Sequence, residues 1–172
     1  MNGSDTRNIL QCAEGTQLSV RQALPEDVMD ILRWRNDPYI CAISRQKEPI
    51  NEAVHRTWYS RALDDPDRLM IIGSLAGQKT GIVRFDRLQE SLWEVSITIT
   101  PEARGRGLGR RLLEMALECL HSVDASAEVL AVARLSNAPS VRLFLSLGFN
   151  RESDDGEFVR FVLPLGSSLQ YL

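Results

Sequence analysis

The sequence predicts a single α/β (or α+β) domain in which helices flank a mixed central sheet. A chain of 172 residues is long enough for one domain with a substantial core. Its composition, 44% hydrophobic and 25% charged, is that of an ordinary globular protein. Stretches with strand and helix periodicity follow one another in the order β α α β β β α β α β β, which indicates a mixed sheet.

The first strand and the first helix lie at the start of this domain. Apolar and polar residues alternate over Leu18–Leu24, which is the pattern of a half-buried strand. Pro25 and the two acidic residues after it suit the first turn of a helix, and the dipeptide Asp37-Pro38 ends that helix. We expect an irregular stretch over residues 39–49.

A second helix and a hairpin follow. Residues 50–63 predict the helix, with Asn51 as its candidate cap and three apolar residues on one face: Val54, Trp58 and Leu63. Two apolar runs, 69–75 and 82–88, flank the turn residues AGQKTG and predict the hairpin.

The second half of the chain alternates strands and helices. Strands are predicted over 92–99 and 128–135, and apolar residues at helical spacing predict a helix over 108–121 between them. The stretch NAPSVRLFLSLGF contains a complete short helix, with Asn137 as its cap and Gly148 just beyond its end. A strand pair around DDG closes the domain.

Composition and charge exclude several classes of protein. A net charge of −3 argues against a general binder of nucleic acid or membranes, so any anion site must be local. Three cysteines and two histidines supply no zinc ligand set, and we expect no metal. No apolar run reaches the ~18 residues of a membrane span. We therefore expect a cytoplasmic protein with a disordered leader over 1–17, one domain over 18–164 and a tail over 165–172.

The stretch RGRGLGRR, Arg104–Arg111, lies between a predicted strand and a predicted helix. Free N–H groups and the helix dipole make such a junction an anion site. Gly105, Gly107 and Gly109 let the backbone approach a ligand closely. The arginines add charge-assisted hydrogen bonds, from Arg104, Arg106 and Arg110. The motif predicts a bound pyrophosphate, and the alternative is a surface turn whose arginines face water.

Two signatures together resemble those of the GNAT N-acetyltransferase superfamily. RGRGLG, from Arg104, resembles the R-x-x-G-x-G loop, and NAPSVRLFLSLGF, from Asn137, resembles the N-x-x-S/A-x-x-x-[YF]-x-x-x-GF element. The predicted order of elements also fits the GNAT fold, an acyl-CoA N-acyltransferase fold, over residues 18–164. The resemblance implies transfer of an acetyl group from acetyl-CoA to an amine.

The resemblance also implies where coenzyme A binds. The loop would hold its pyrophosphate through the backbone of residues 104–111, Leu108 among them, and the pantetheine arm would pair with the backbone of Ile97 and Ile99. Asn137 matches the asparagine that contacts this arm, with Ser140 one turn further on; Asn137 can also be a simple helix cap.

A base must remove a proton from the amine, because most amines are protonated at neutral pH. The resemblance points to Glu94, in the strand that leads to the loop, and His55 is a second candidate base. Many relatives protonate the leaving thiolate with a tyrosine where this chain has Phe144. Ser140, Tyr59 or a water molecule could replace it, or the thiolate could leave unassisted.

LRWRNDP (32–38) followed by EAVHRTWY (52–59) resembles the acetyltransferases of nucleotide-linked 4-amino sugars in the pseudaminic acid pathway. Ribosomal-protein N-terminal acetyltransferases share the first part. The resemblance implies acceptor contacts from Trp34, Arg35, Asn36, Arg56 and Trp58. Aromatic faces suit a nucleotide base or a sugar ring, and Arg35, Arg45 and Arg56 suit a diphosphate. The alternative for both tryptophans is a place in the core.

Three functions stay open at this point. The first is acetylation of a nucleotide-linked amino sugar, with a UDP sugar as the example. The second is acetylation of a protein N-terminus or another small amine, and the third is a non-catalytic module that binds acyl-CoA. Convergence of Arg35 and Arg56 would favour the first. We expect a small-molecule acceptor and no nucleic-acid or membrane partner, and we leave a homodimer open.

Overall fold

The fold was analysed in a computed structural model that describes residues 17–168. Seven strands form one mixed sheet. In chain order they are β1 (Leu18–Gln22), β2 (Arg68–Leu75), β3 (Gln78–Gln89), β4 (Leu92–Ile99), β5 (Glu128–Arg134), β6 (Asn150–Asp154) and β7 (Phe158–Pro164). Across the sheet their order is β1-β2-β3-β4-β5-β7-β6, and every neighbouring pair within the described residues is antiparallel except β4–β5.

Helices cover both faces of this sheet. They are α1 (Val28–Arg35), α2 (Pro38–Ile43), α3 (Glu52–Leu63), α4 (Leu108–Val123), α5 (Ala138–Ser146) and α6 (Leu165–Ser168). The predicted mixed sheet and its flanking helices are confirmed, and α2 and α6 are additions to the predicted order. No helix between residues 17 and 168 is long and apolar enough to cross a membrane.

The sequence-based expectation was wrong about the stretch after Asp37. Residues expected to be irregular form α2, in which Pro38 occupies the first helical position and the Asp37 side chain accepts a hydrogen bond from Ile40 N at 3.2 Å. The same Asp-Pro dipeptide thus ends α1 and begins α2, because proline at a first helical position costs no hydrogen bond.

The buried face of α3 differs from the predicted one by one residue. Asn51 caps this helix as expected, accepting from Ala53 N and Val54 N. The residues that face the core are His55, Tyr59 and Ala62, whereas Val54 is 62% exposed. Both sets have helical spacing, so periodicity alone did not distinguish them.

At the C-terminal end, α6 extends the folded part of the chain beyond residue 164. Residues 165–168 were expected to belong to a tail, but Leu165 is buried against the core. The leader expected over residues 1–17 lies, apart from Gln17, outside the described residues, as does the rest of the tail.

The sheet separates two apolar layers. Alternate residues of β2 point to opposite faces, so Leu69 and Ile71 pack in the layer that contains α4, and Met70 and Ile72 in the layer that contains α1 and α3. Phe144 of α5 joins the α4 layer. The helices α1 and α3 therefore form one wall of any site that lies on the opposite face from α4.

Candidate active site

A cavity of about 580 Å³ lies where β4 and β5 diverge. The two parallel strands are paired only from Leu92↔Glu128 to Val95↔Ala131. Beyond that point β4 pairs with β3 alone and β5 with β7 alone. The cavity is lined by α1, α3, α5, both diverging strands and the segment after α2.

Backbone groups of β4 are directed into this gap. Ser91 O accepts from Glu128 N on the β5 side, whereas Thr100 N donates to Thr80 O on the β3 side. Because backbone direction alternates along a strand, Ile97 and Ile99 direct their N–H and C=O groups towards the gap. They are the two residues that the family resemblance assigned to the pantetheine arm.

The glycine-rich loop leads from β4 to the first turn of α4. Gly105 and Gly107 have φ angles of +71° and +73°, a region that favours glycine, and Gly107 is the N-cap of α4. A Cβ atom at either glycine would meet no heavy atom within 4 Å. A Cβ at Gly109, inside the first turn, would lie 3.4 Å from Ile99 Cγ1, so this turn sits directly over the end of β4. The first N–H groups of a helix have no intrahelical acceptor, so those of this turn are free to bind a ligand.

The arginines of the loop have different surroundings. The side chain of Arg104 ties the loop to its neighbours, with Nε donating to Ile99 O at 3.1 Å and Nη2 to Asp37 Oδ1 at 2.9 Å. Arg110 pairs with Glu114 one turn further along α4. Arg106 is exposed and has no acidic partner among the described residues. Among the three predicted phosphate ligands, Arg106 is therefore the side chain with the greatest freedom to bind an anion.

Glu94 lies in the cavity and is paired with Arg45. Arg45 Nη2 is 2.8 Å from Glu94 Oε1, and the two side chains are 57% and 26% exposed. Glu94 is the one carboxylate among the described residues that line the cavity. The predicted base therefore lines the cavity, with a cation already beside it.

His55 also lines the cavity but is almost completely buried, with 2% of its surface exposed. Its Nε2 lies 2.8 Å from Val28 O, and a carbonyl can only accept, so Nε2 carries the proton. Burial lowers the pKa of His55, opposed by the Val28 hydrogen bond, and the Arg56 charge lowers it further. The ring is thus neutral at pH 7, and its lone pair is on Nδ1, which has no partner within the described residues.

Three residues of α5 or its cap line the cavity: Asn137, Ser140 and Phe144. Asn137 caps the helix, accepting from Ser140 N and donating through Nδ2 to Ser140 Oγ at 2.8 Å. It can therefore be a helix cap and a cavity residue together, as the sequence allowed. Tyr59, one of the suggested acids, does not line the cavity; its hydroxyl donates to Leu24 O at 2.7 Å and burial raises its pKa.

The residues expected to bind the acceptor divide into two groups. Arg35 and Trp58 line the cavity. Trp34 is buried in the α1–α3 layer, Asn36 joins α1 to Ile50 through hydrogen bonds of 2.9 and 2.8 Å, and Arg56 pairs with Glu52 on the exposed side of α3. Arg35 and Arg56 therefore do not converge. Trp34, Asn36 and Arg56 do not line the cavity, and their contact with an acceptor stays a prediction.

Two charged residues of the cavity were not anticipated from the sequence, Arg84 and Arg134. Arg84 lies opposite Ser96 in the β3–β4 register, on the same face as Glu94, and pairs with Asp86. Arg134, at the end of β5, donates to Ser44 O at 3.3 Å and pairs with Glu157. Strand alternation in the hairpin could have identified Arg84, whereas Arg134 depends on how the segment after α2 crosses the sheet.

No group of three or more His, Cys, Asp or Glu side chains placed to hold a metal ion occurs within the described part of the chain.

Comparison with known proteins agrees with this architecture. The sequence model of the acetyltransferase (GNAT) domain family matches residues 17–150. An uncharacterized protein of Methanocaldococcus jannaschii is 27% identical over 153 residues, which are 84% of this chain and 31% of that protein. The chain thus spans about a third of the length of this curated relative.

Several solved structures share the fold. A domain from Methanocaldococcus jannaschii superposes with a TM-score of 0.75 at 24% identity, covering 88% of this chain and 100% of that one. The spermidine N-acetyltransferase from Vibrio cholerae in complex with CoA and spermine superposes with a TM-score of 0.80 at 20% identity, covering 89% of this chain and 98% of that one. A putative acetyltransferase from Salmonella typhimurium with acetyl-CoA superposes with a TM-score of 0.74 at 21% identity, covering 87% of this chain and 95% of that one. Since the family model covers most of the chain and the fold agrees, this protein belongs to the GNAT family of acetyltransferases.

Proposed function

We propose that this acetyltransferase moves the acetyl group of acetyl-CoA to a primary amine on an anionic molecule, with the 4-amino group of a nucleotide-linked sugar as the best candidate. The proposed reaction, acetyl transfer from acetyl-CoA, is supported mainly by the divergence of β4 and β5. This divergence leaves the backbone of Ile97 and Ile99 facing the gap beneath the glycine loop. An extended pantetheine arm needs a strand edge that no neighbouring strand pairs with, and a pyrophosphate needs the N–H groups above it.

Acetyl-CoA, when bound, supplies an acetyl thioester that an amine can attack. This chain's own contribution is to hold the donor by its backbone and to stabilise negative charge on the acetyl oxygen with N–H groups of β4 that face the gap. Asn137 and Ser140 face the same gap from α5 and offer further hydrogen bonds to the arm. Phe144 contributes only apolar surface, so the departing thiolate takes its proton from Ser140 or from solvent, or leaves without one.

The acceptor amine must lose a proton before or during its attack. Glu94 accepts that proton, directly or through a water molecule, because it is the carboxylate on the acceptor side of the gap. The unprotonated Nδ1 of His55 is a second acceptor of protons on the α3 wall. Glu94 is the stronger candidate, since its carboxylate is partly exposed and can reach an incoming ligand.

The charges around the cavity favour an acceptor that carries an anion. Arginines line it from four directions: Arg35, Arg45, Arg84 and Arg134. Trp58 also lines the cavity, and its ring is contacted by two cations, since the guanidinium carbons of Arg68 and Arg84 each lie 5.5 Å from the ring centroid. A polycation such as the spermine bound by the Vibrio cholerae relative would meet a single carboxylate here. A protein N-terminus is the second candidate, on the strength of the shared WRNDP stretch alone.

The experiment that tests the proposal follows CoA release with a thiol-reactive dye across three acceptor panels. These are UDP-linked 4-amino sugars, polyamines, and peptides with ribosomal-protein N-termini. Turnover with the sugar nucleotides supports the proposal; turnover confined to polyamines or peptides contradicts the acceptor class.

Glu94→Gln should lower kcat by about 10²–10⁴-fold, as expected for loss of a general base, while the affinity for CoA stays the same. The matched control is Asp154→Asn, because Asp154 is also a partly exposed carboxylate paired with an arginine and lies outside the cavity. Equal activity of the two variants would remove Glu94 from the mechanism.

A further inference from the structure

Arg45 occupies the position in which the proposed reaction needs the substrate ammonium group. Its guanidinium lies 2.8 Å from the carboxylate of Glu94, so the proposed base is already neutralised by a residue of the same chain. A substrate ammonium group competes with Arg45 for Glu94 Oε1, the oxygen that Arg45 contacts. The contact therefore raises the question of what would draw Arg45 from Glu94.

Arg45 belongs to a strap, residues 44–50, that connects α2 to α3 and lines part of the cavity. The strap is held mainly by side chains that bond to its backbone. Arg35 Nη2 donates to Gln46 O at 2.6 Å, and Arg134 donates to Ser44 O at 3.3 Å from Nε and Nη2. The Arg45 side chain makes its own contact with Glu94 and is more than half exposed, so it can turn while the strap backbone stays in place.

The positive charge of the cavity is not fully compensated. Arg84 pairs with Asp86, Arg134 with Glu157 and Arg45 with Glu94. Arg35 instead contacts the Cys41 sulfur at 3.6 Å and the Gln46 carbonyl, and within residues 17–166 it has no carboxylate partner. Because Gln46 is adjacent to Arg45 in the strap, the uncompensated guanidinium lies beside the residue that covers Glu94.

We propose that Arg35 and Arg45 form an anion subsite for the acceptor, and that Arg45 exchanges Glu94 for the acceptor's phosphate or carboxylate when the acceptor binds. The exchange leaves the Glu94 carboxylate free to meet the ammonium group of the same molecule. An amine without an anion leaves Arg45 on Glu94 and is a poor substrate. The role given to Glu94 rests on the proposed function, whereas the anion subsite does not.

Such an exchange is physically easy. An ion pair between two partly exposed side chains is weak, because water screens it and ordering both side chains costs entropy. A phosphate offers a guanidinium two parallel charge-assisted hydrogen bonds and can bind Arg35 and Arg45 together. Two cations that share one dianion are then favoured over one cation on one carboxylate.

The subsite can be tested by binding alone, without turnover. Calorimetry measures UDP and inorganic pyrophosphate binding to the protein saturated with CoA, so that the glycine loop is already occupied. Wild type should bind at least one of the two probes, and Arg35→Ala and Arg45→Ala should each weaken that binding about 10-fold, the value of one charge-assisted hydrogen bond. The affinity of Arg45→Lys for the probe should lie between that of the two alanine variants and that of wild type. The control Arg151→Ala, which breaks an exposed ion pair in β6, should bind the probe as tightly as wild type.

Glu94→Gln provides the outcome that a merely structural ion pair would not give. Removing the carboxylate's charge frees Arg45, so this variant should bind the anionic probe more tightly than wild type. Equal or weaker binding by Glu94→Gln, or no binding of either probe by wild type, overturns the proposal.

Kinetics separates this inference from the proposed function. With an anionic acceptor, Arg45→Ala should raise KM, whereas with the same amino sugar lacking its phosphates the variant should be no worse than wild type. An equal loss of activity with both acceptors contradicts the exchange. If no acceptor turns over while the binding pattern holds, the anion subsite stands and the proposed reaction fails.

Discussion

Gly107→Ala tests whether the glycine loop is a ligand site or an ordinary turn. Gly107 has φ +73° and a Cβ there would meet nothing within 4 Å, so the substitution brings backbone strain but no steric clash. A left-handed conformation costs a non-glycine residue about 1–2 kcal/mol. In a domain of this size 1 kcal/mol corresponds to about 2–4 °C, so the melting temperature should fall by about 2–8 °C.

The effect on ligand binding should be separate from this strain. Gly107 is the N-cap of α4, so if a pyrophosphate binds the N–H groups of this helix, the Cβ of an alanine at 107 should hinder its close approach. At a CoA concentration 100 times Kd, bound CoA should raise the free energy of unfolding of wild type by about 2.7 kcal/mol. In a thermal shift assay this corresponds to a rise of about 5–11 °C in the melting temperature. Gly107→Ala should lose most of that gain.

Gly77→Ala is the matched control for this experiment. Gly77 has φ +76°, a Cβ there would also meet nothing within 4 Å, and it lies in the turn between β2 and β3, away from the cavity. This variant should lose as much intrinsic stability as Gly107→Ala and keep the whole CoA-induced shift. If Gly107→Ala keeps the shift as well, the loop is a surface turn and the assignment of the pyrophosphate is wrong.

Three further predictions concern stability. Burial alone would raise the pKa of Asp27, but hydrogen bonds from Arg21 and Lys79 lower it to about 2. The ionised carboxylate therefore contributes about 2 kcal/mol to the free energy of unfolding. This contribution is present above pH ~4 and is lost as the pH falls towards 2. Urea unfolding should accordingly show Asp27→Asn to be less stable than wild type at pH 7, by a difference that shrinks as the pH is lowered to 2.5. A difference in stability that stays constant would contradict this account. Burial lowers the pKa of His55, so the unfolded chain binds a proton at this residue more readily than the folded one. The urea concentration at the unfolding midpoint should therefore fall as the pH drops below about 6.5, and His55→Gln should remove this pH dependence. Gly81→Ala places a Cβ 2.3 Å from a backbone carbonyl oxygen of β4, which should cost about 1–3 kcal/mol in the same assay, whereas an unchanged midpoint would show that the two strands can separate freely.

The part of the molecule that contains the glycine loop was predictable from short stretches of sequence. The bounds of β4 are those expected, Asn137 caps α5, and Gly148 takes a positive φ just after that helix. Caps, positive φ angles and strand alternation depend on residues a few positions apart, so a single sequence contains the information. The side chain of Arg104 is the exception, because its bond to Asp37 joins segments far apart in the chain.

The wall formed by α1 and α3 was predicted less well, for physical reasons that can be named. Apolar and aromatic residues occur on two adjacent faces of α3, so its pattern allows either Val54 and Trp58 or His55 and Tyr59 to face inward. The structure buries the second pair, and both of its N–H and O–H donors find a backbone carbonyl: His55 Nε2 donates to Val28 O and the Tyr59 hydroxyl to Leu24 O. Those carbonyls belong to the chain before and within α1, and nothing in the sequence of α3 indicates them.

The acceptor side of the site is the least predictable part, and it is also where this protein can differ from relatives of the same fold. The proposed donor site needs backbone geometry that a loop and one strand provide, whereas the rest of the cavity is lined by side chains from α1, the strap, α3, β3 and β5. Among them Arg35 lacks a carboxylate partner in the described chain, and a partly buried cation in that state is costly unless an anion compensates it. If the acceptor is anionic as proposed, Arg35 should repel polyamines as well as attract the anion. A single charge reversal, Arg35→Glu, should then shift acceptor preference towards polyamines while CoA affinity stays the same.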